Sequence, residues 1–353
     1  MTTFVARKGW VAGPRAMIVA VALLLGGCGG AVDRICHGAA TGGKQFVSAV
    51  PLGAAVRWQH VKDSPAYGRF FLDHYQWMTP ENELKMDALE PERGRFDFQT
   101  ADAMVNWALA HGKHVHGHVL IWDSQLPNWL ASSRPLDRAS ALRIMGTYIR
   151  TVLRHFRGRI GEWDVVNEAF QSDGSYKHNL WYKALGPDYI GDAFAIARAT
   201  DPHVRLCYND DGIELPGPHA DAALALVKAL RVRDLIDCVG FETHVSPPGP
   251  PQGAMAAELR RFAATGVDVL ISELDVRLTR HESLDAQAKT YADVARACRS
   301  VRKCVRITTW GFTDASSWLG SAARGLPFNA LCQPKPAWRA LTTALATTTT
   351  TPR

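Results

Sequence analysis

No C-x-x-C pair occurs among the seven cysteines of this 353-residue chain, and no G-x-G-x-x-G follows its first apolar strand-like run. The first absence argues against a structural zinc site, the second against a dinucleotide-binding fold. No block of basic residues stands out and no aromatic stripe is interleaved with basic side chains, so nothing points to nucleic acid. Charged residues make up 21% of the chain, mixed in sign, against 47% hydrophobic. That is too apolar for a disordered protein and ample for one large core.

The N-terminus has the pattern of a targeting segment. Arg7, Lys8 and Arg15 precede the apolar run Ala16 to Leu25, which is too short to anchor a chain across a bilayer. The run ends in Leu25-Gly26-Gly27-Cys28, which resembles a bacterial lipoprotein signal cut before Cys28, the cysteine then being lipidated. Residues 1–27 hold three cations and no acid, so the formal charge falls from +6 for the whole chain to +3 without them. Export permits disulfides. Besides Cys28, six cysteines allow fifteen pairings. Cys298 and Cys304 bracket a short loop. Cys207 and Cys238 lie in two apolar runs that adjacent strands would bring together. Cys36 and Cys332 are left near the two ends of the fold.

Eight short apolar runs alternate with amphipathic helical stretches. The runs are PLGAAV, HYQWMTP, HVHGHVLIW, EWDVVNE, VRLCYND, CVGFETHV, VLISELDV and VRITTWGF; TADAMVNWALAHG and ASALRIMGTYIRTVLRHFRG are among the helical ones. This alternation implies parallel strands joined by crossovers, and the count of eight favours a closed α/β barrel, a single-domain (β/α)8 TIM barrel. The expected organisation is a lipoprotein-type signal at 1–27, a linker at 28–45, the barrel at 46–341 and a disordered Thr-rich tail at 342–353, with a last helix near Pro336 to Leu345.

In such barrels the chemistry lies at the carboxyl ends of the strands. Glu168 ends WDVVNE, and Glu273 sits in VLISELDV. Two carboxylates so placed are what a glycoside hydrolase needs on the two sides of a sugar–sugar bond. Glu81, Asn82, Lys85, His118, Asn167, Asn209, Asp210 and His244 gather at the same strand ends, with Trp122, Trp310 and Trp318. Indole faces pack on sugar rings, while amides, acids and lysine bind hydroxyls, so the set suits a carbohydrate cleft.

The chain resembles the glycoside hydrolase family 10 endo-β-1,4-xylanases across nearly all of the sequence after the signal. The matching segments, in order, are TPENELKMDALEPERGRFDF, GHVLIWDSQLPNWL, WDVVNEAF, LCYND, CVGFETHV, ISELDV and ITTWGFTDASSWL. The resemblance implies a retaining, cofactor-free mechanism acting on xylan or xylo-oligosaccharides. Glu168 would be the general acid/base and Glu273 the nucleophile, their carboxyls roughly 5–5.5 Å apart. Asn167 would bind the 2-hydroxyl. His244 would hydrogen-bond Glu273, with Asp275 orienting the imidazole. Glu81, Asn82, Lys85, His118 and Trp122 would line the glycone side, and Trp310 and Trp318 would wall the cleavage point. The pairs Cys207–Cys238 and Cys298–Cys304 match disulfides of many members. No metal and no nucleic acid are implied, a monomer is expected, and a membrane is met only through the lipid of an exported bacterial protein.

Three positions depart from the family pattern: Asp123 where a second histidine is usual, Glu242 where glutamine is typical, and Asp211-Gly212 where an aromatic residue often follows YND. Glu242 adds a third carboxylate beside the pair. Three rivals stand against this reading. One is a hydrolase of another β-linked glycan or glycoside, and another a non-catalytic glycan binder. The third is a metal hydrolase built on His111, His114, His116 and His118, the last three sharing one face of an extended strand.

Overall fold

The computed structural model describes residues 35–36, 48–132 and 135–346. The expected signal, Cys28, most of the expected linker and the end of the Thr-rich tail lie outside the described residues. Among the described residues there are nine strands: β1 (Leu52–Val56), β2 (Trp77–Pro80), β3 (His114–Gly117), β4 (Glu162–Asn167), β5 (Arg205–Asp210), β6 (Cys238–Phe241), β7 (His244–Val245), β8 (Asp268–Val276) and β9 (Cys304–Thr309). All but β7 form one closed parallel ring, in chain order, sealed by β1 against β9 and by β6 against β8. This is the (β/α)8 barrel. β7 adds two residues above it, pairing His244 with Asp275 and Val245 with Val276.

The strands read as unbroken apolar runs because both faces of a parallel sheet are covered. Every residue of β1, β4 and β6 is buried. On the outer face of the ring, a Cβ at Gly117 would stand 2.1–2.5 Å from the ring of its register partner Trp163, so glycine is what lets that indole lie over β3 beside Phe156 of the helix layer. The helices follow the apolar periodicity. Arg138–Phe156 opens on Asp137, whose carboxylate accepts from Ser140 N at 2.8 Å, and buries Met145, Tyr148, Ile149, Val152 and Phe156 against the ring.

A layer of charge fills the strand starts. His116 Nδ1 lies 2.9 Å from Glu162 Oε1 and its Nε2 2.8 Å from Asp164 Oδ2. Arg306 donates to Glu162 Oε1 at 2.8 Å and lies 4.2 Å over the Trp77 ring. All four charged groups are buried. Burial would push His116 down, but Asp164 and Glu162 raise it to about 9.

Three disulfides join described residues: Cys207–Cys238, whose residues are register partners on β5 and β6, Cys298–Cys304, and Cys36–Cys332, which ties the two ends of the fold. Ile35 and Cys36 are buried, and Ser64 Oγ donates to Ile35 O at 2.8 Å. This part of the expected linker therefore packs on the barrel. The last helix, Pro336–Leu345, runs past the expected boundary at 341 because Ala344 and Leu345 belong to the core.

Candidate active site

The carboxyl ends of the strands converge on a cavity of about 540 Å³. Glu81, Asn82 and Lys85 reach it from the loop after β2, and His118 and Trp122 from the loop after β3. Asn167 and Glu168 come from the end of β4, Glu242 from just past β6, His244 from β7, and Glu273 from β8. Trp310 and Trp318 close the wall beyond β9. Every substrate-binding and catalytic position expected from the sequence lines this one cavity. Asp275 does not; it lies behind His244.

Asn209, buried at the end of β5, joins the two halves. Its Nδ2 is 2.8 Å from Asn167 Oδ1, 2.9 Å from Glu273 Oε1 and 3.1 Å from Glu242 Oε1, while its Oδ1 accepts from Ser272 Oγ at 2.6 Å. A Cβ at residue 240 would come within 1.9 Å of that Oδ1, so Gly240 makes the hub possible. Asn167 Nδ2 donates to Glu168 Oε1 at 3.1 Å. A line of hydrogen bonds thus runs from Glu168 through two amides to Glu273. Glu168 itself sits in left-handed backbone (φ 50°), its N–H held by Asn209 O at 2.9 Å. A non-glycine residue keeps that conformation only where its surroundings impose it.

The two acids have different electrostatic settings. Burial would raise Glu273, but the His244 hydrogen bond, with His118 and Lys85 nearby, outweighs it and leaves the carboxyl below the ordinary glutamate range. His244 Nε2 lies 3.2 Å from Glu273 Oε2, and its Nδ1 3.0 Å from Asp275 Oδ2. Those two carboxylates overcome the burial penalty and raise His244 well above a free imidazole. Trp318 Nε1 donates to the same Asp275 oxygen at 2.6 Å. Glu168 is less enclosed, and Lys177 Nζ donates to its Oε2 at 2.7 Å.

Glu242 is pushed the other way. Burial, then the charges of Glu273 and Glu168, raise its carboxyl well above the ordinary value. Asp211 borders the cavity and is raised chiefly by burial. Asp123 does not line it; half-buried, it is raised by burial and partly offset by Lys177.

Three lining or contacting residues were missed by the sequence reading. Arg57, just past β1, donates to Glu81 Oε1 through Nε and Nη2 at 2.9 and 2.6 Å. Gln125 accepts from Lys85 Nζ at 2.6 Å and donates to Asn82 Oδ1 at 3.2 Å. Lys177 is the third. A cation directly after an apolar run could have flagged Arg57; the other two carry no local signal. Lys85 Nζ also lies 4.9 Å over Trp122 and 5.9 Å from the Trp310 ring centre. A second hollow of about 670 Å³ shares Glu168 and Asp211 with the first and continues over Lys177, Leu215 and His219.

The four clustered histidines do not converge on a metal-ligand set among the described residues. His116 and His118 both bond Asp164, His114 stacks on Trp77 with ring centres 4.8 Å apart, and His111 packs near Trp107.

A model of Glycosyl hydrolase family 10 matches residues 44–344. Endo-1,4-beta-xylanase 1 of Humicola insolens is 36% identical over 306 residues, covering 83% of this chain and 71% of the relative. Endo-1,4-beta-xylanase B of Thermotoga neapolitana is 34% identical over 288 residues, covering 79% and 83%. Among solved structures, xylanase 10B from Thermotoga petrophila RKU-1 in complex with xylobiose superposes with a TM-score of 0.82 at 32% identity, covering 86% of this chain and 98% of that one.

Proposed function

The chain belongs to glycosyl hydrolase family 10, and we propose that it is a retaining endo-1,4-β-xylanase in which Glu273 attacks the sugar and Glu168 manages the proton. The observation that carries the assignment is the contrast between the two acids within one cavity. Glu273 is buried yet held anionic by His244, with Asn209 fixing its other oxygen. That suits a nucleophile. Glu168, at the more open edge and hydrogen-bonded by Asn167, suits a group that exchanges a proton with the leaving oxygen and then with water.

In the first step Glu168 protonates the glycosidic oxygen while Glu273 bonds the anomeric carbon and the leaving chain departs. Esterification then removes the Glu273 charge, which favours ionisation of Glu168 and lets it act as base toward water. Asn167, fixed by Asn209, takes the 2-hydroxyl. Glu81, Asn82, Lys85, His118 and Trp122 hold the glycone, and Trp310 and Trp318 flank the bond to be cut. Xylan or xylo-oligosaccharides are the partner. The cation–π platform of Lys85 between Trp122 and Trp310 supports a site for polar sugar rings.

An activated aryl β-xyloside tests the scheme. A burst of phenol followed by slow turnover is expected, together with oligosaccharide release from xylan and weak activity on the matching β-glucoside. Glu273→Ala should abolish the burst. Turnover without dependence on Glu273 refutes the assignment, and no burst with no turnover on several xylans favours a glycan-binding role. The proposal includes export, supported by three disulfides, with lipid attachment at Cys28 and a monomeric working form. The mass of the N-terminal peptide of protein recovered from a bacterial host tests the lipid.

A further inference from the structure

We infer that Glu242, His244 and Glu273 form a binding site for a divalent zinc-like cation, and that an ion seated there shuts the enzyme off. One ligand atom from each of the three lies within 4.8 Å of the others. Each carboxylate gives one oxygen to Asn209 and turns the other toward the imidazole: Glu273 Oε2 is 3.2 Å and Glu242 Oε2 3.7 Å from His244 Nε2. Zinc bonds of about 2.0–2.2 Å set tetrahedral ligand–ligand edges of about 3.3–3.6 Å, so little movement is required.

The outer partners are also in place. Asp275 accepts from His244 Nδ1 at 3.0 Å, which leaves Nε2 as the metal-facing nitrogen once the incoming ion displaces the proton that Nε2 shares with Glu273 and releases it to solvent, and Asn209 pins both carboxylates. All three ligands line the open cavity, which leaves the fourth position for water. One nitrogen and two carboxylate oxygens favour zinc and its neighbours over calcium or magnesium. Glu242 completes the set: with an amide there, one His and one carboxylate would remain. Without a cation, the same crowding keeps a proton on Glu242.

The inhibition arm rests on the xylanase reading; the binding arm does not. Zinc chloride is titrated by calorimetry into the chelator-stripped protein, with xylan hydrolysis followed in parallel. One saturable site is expected, weakened about tenfold or more by Glu242→Gln. Thermal melting checks that this variant folds, and Glu273→Gln, with the same expected loss, serves if it does not. Xylan hydrolysis should fall over the same zinc range and return with chelator. Absence of saturable binding up to about 0.1 mM zinc overturns the site. So does binding that both variants leave unchanged, and so does binding with no loss of hydrolysis. Zinc bound in the expected manner by a protein that cleaves no xylan sinks the xylanase reading and leaves the cation site standing.

Discussion

Replacing Glu242 by glutamine should make the protein more stable, by an amount that grows with pH. Glu242 is 3% exposed, and Asn209 Nδ2 lies 3.1 Å from its Oε1 and 2.9 Å from that of Glu273. Burial and then the Glu273 charge lift its carboxyl well above the value of 4.5 it has when free. The sign follows from proton counts. Below about pH 4.5 both folded and unfolded chains hold this proton and the residue contributes no slope. Above it the unfolded chain releases the proton while the folded chain keeps it, so stability falls as pH rises, until the raised folded value is passed. One proton corresponds to about 1.4 kcal/mol per pH unit. Between about pH 4.5 and about pH 7 the ceiling is therefore about 3.5 kcal/mol. Glutamine has the same shape and no proton to lose. Melting curves of both proteins from about pH 4.5 to about pH 8 should diverge by about 2 °C for each kcal/mol. Glu273, whose lowered carboxyl contributes the opposite slope, is present in both and largely cancels. A gap between the two proteins that is the same at every pH would refute the reasoning.

Three further outcomes are expected. Lys177→Met removes the ammonium 2.7 Å from Glu168 Oε2 and should lower turnover of xylan about tenfold, while aryl xylosides with good leaving groups, which need little proton assistance, lose far less; equal losses on both substrates would count against the role of Glu168. Arg306→Met leaves Glu162 without its 2.8 Å partner in the barrel floor, with His116 and Arg205 still in contact, and should cost about 1–3 kcal/mol in urea unfolding, part of it recovered by adding Glu162→Gln; a neutral single variant would mean that the His116 and Arg205 contacts suffice. Removing the Cys36–Cys332 link with paired serines frees a closure of 296 residues in the unfolded chain, an upper bound of about 5–6 kcal/mol in the chain-entropy view; an unchanged urea midpoint would show that the end segment adds nothing to global stability.

Most of the fold was legible because a parallel barrel buries both faces of each strand, so the strands stand out as apolar runs between periodic helices. The helices that escaped had a reason to. Trp58–Asp63 buries no residue and so has no periodicity to read, and Pro65–His74 follows it after a single residue, its start marked by Ser64. Site residues at strand ends were legible for the same reason as the strands. Lys177 and Gln125 were not, because each reaches the site from a loop whose path is set by tertiary packing: Lys177 N is tied to Ala169 O at 2.8 Å, and Gln125 takes a positive φ of 48°. The link between Cys36 and Cys332 had no local signal of any kind.

The three departures from the family pattern do not form one electrostatic unit. Asp123 has Lys177 as its counterion, and the same ammonium is held by Glu168 and drawn on by Asp210. Asp211 faces the His244 cation and borders the larger, more open hollow. Only Glu242 is buried against the anion of Glu273 while His244, the nearby cation, is already engaged by Glu273 and Asp275. A neutral, protonated Glu242 can present a carbonyl oxygen and a hydroxyl where an amide would present a carbonyl oxygen and an N–H, so the hydrogen bond from Asn209 survives the exchange. The difference is that the acid can still lose its proton, or exchange it for a cation. Asp211 should therefore tune binding in that larger hollow, whereas, of the three departures, metal sensitivity and the larger share of pH sensitivity should trace to Glu242.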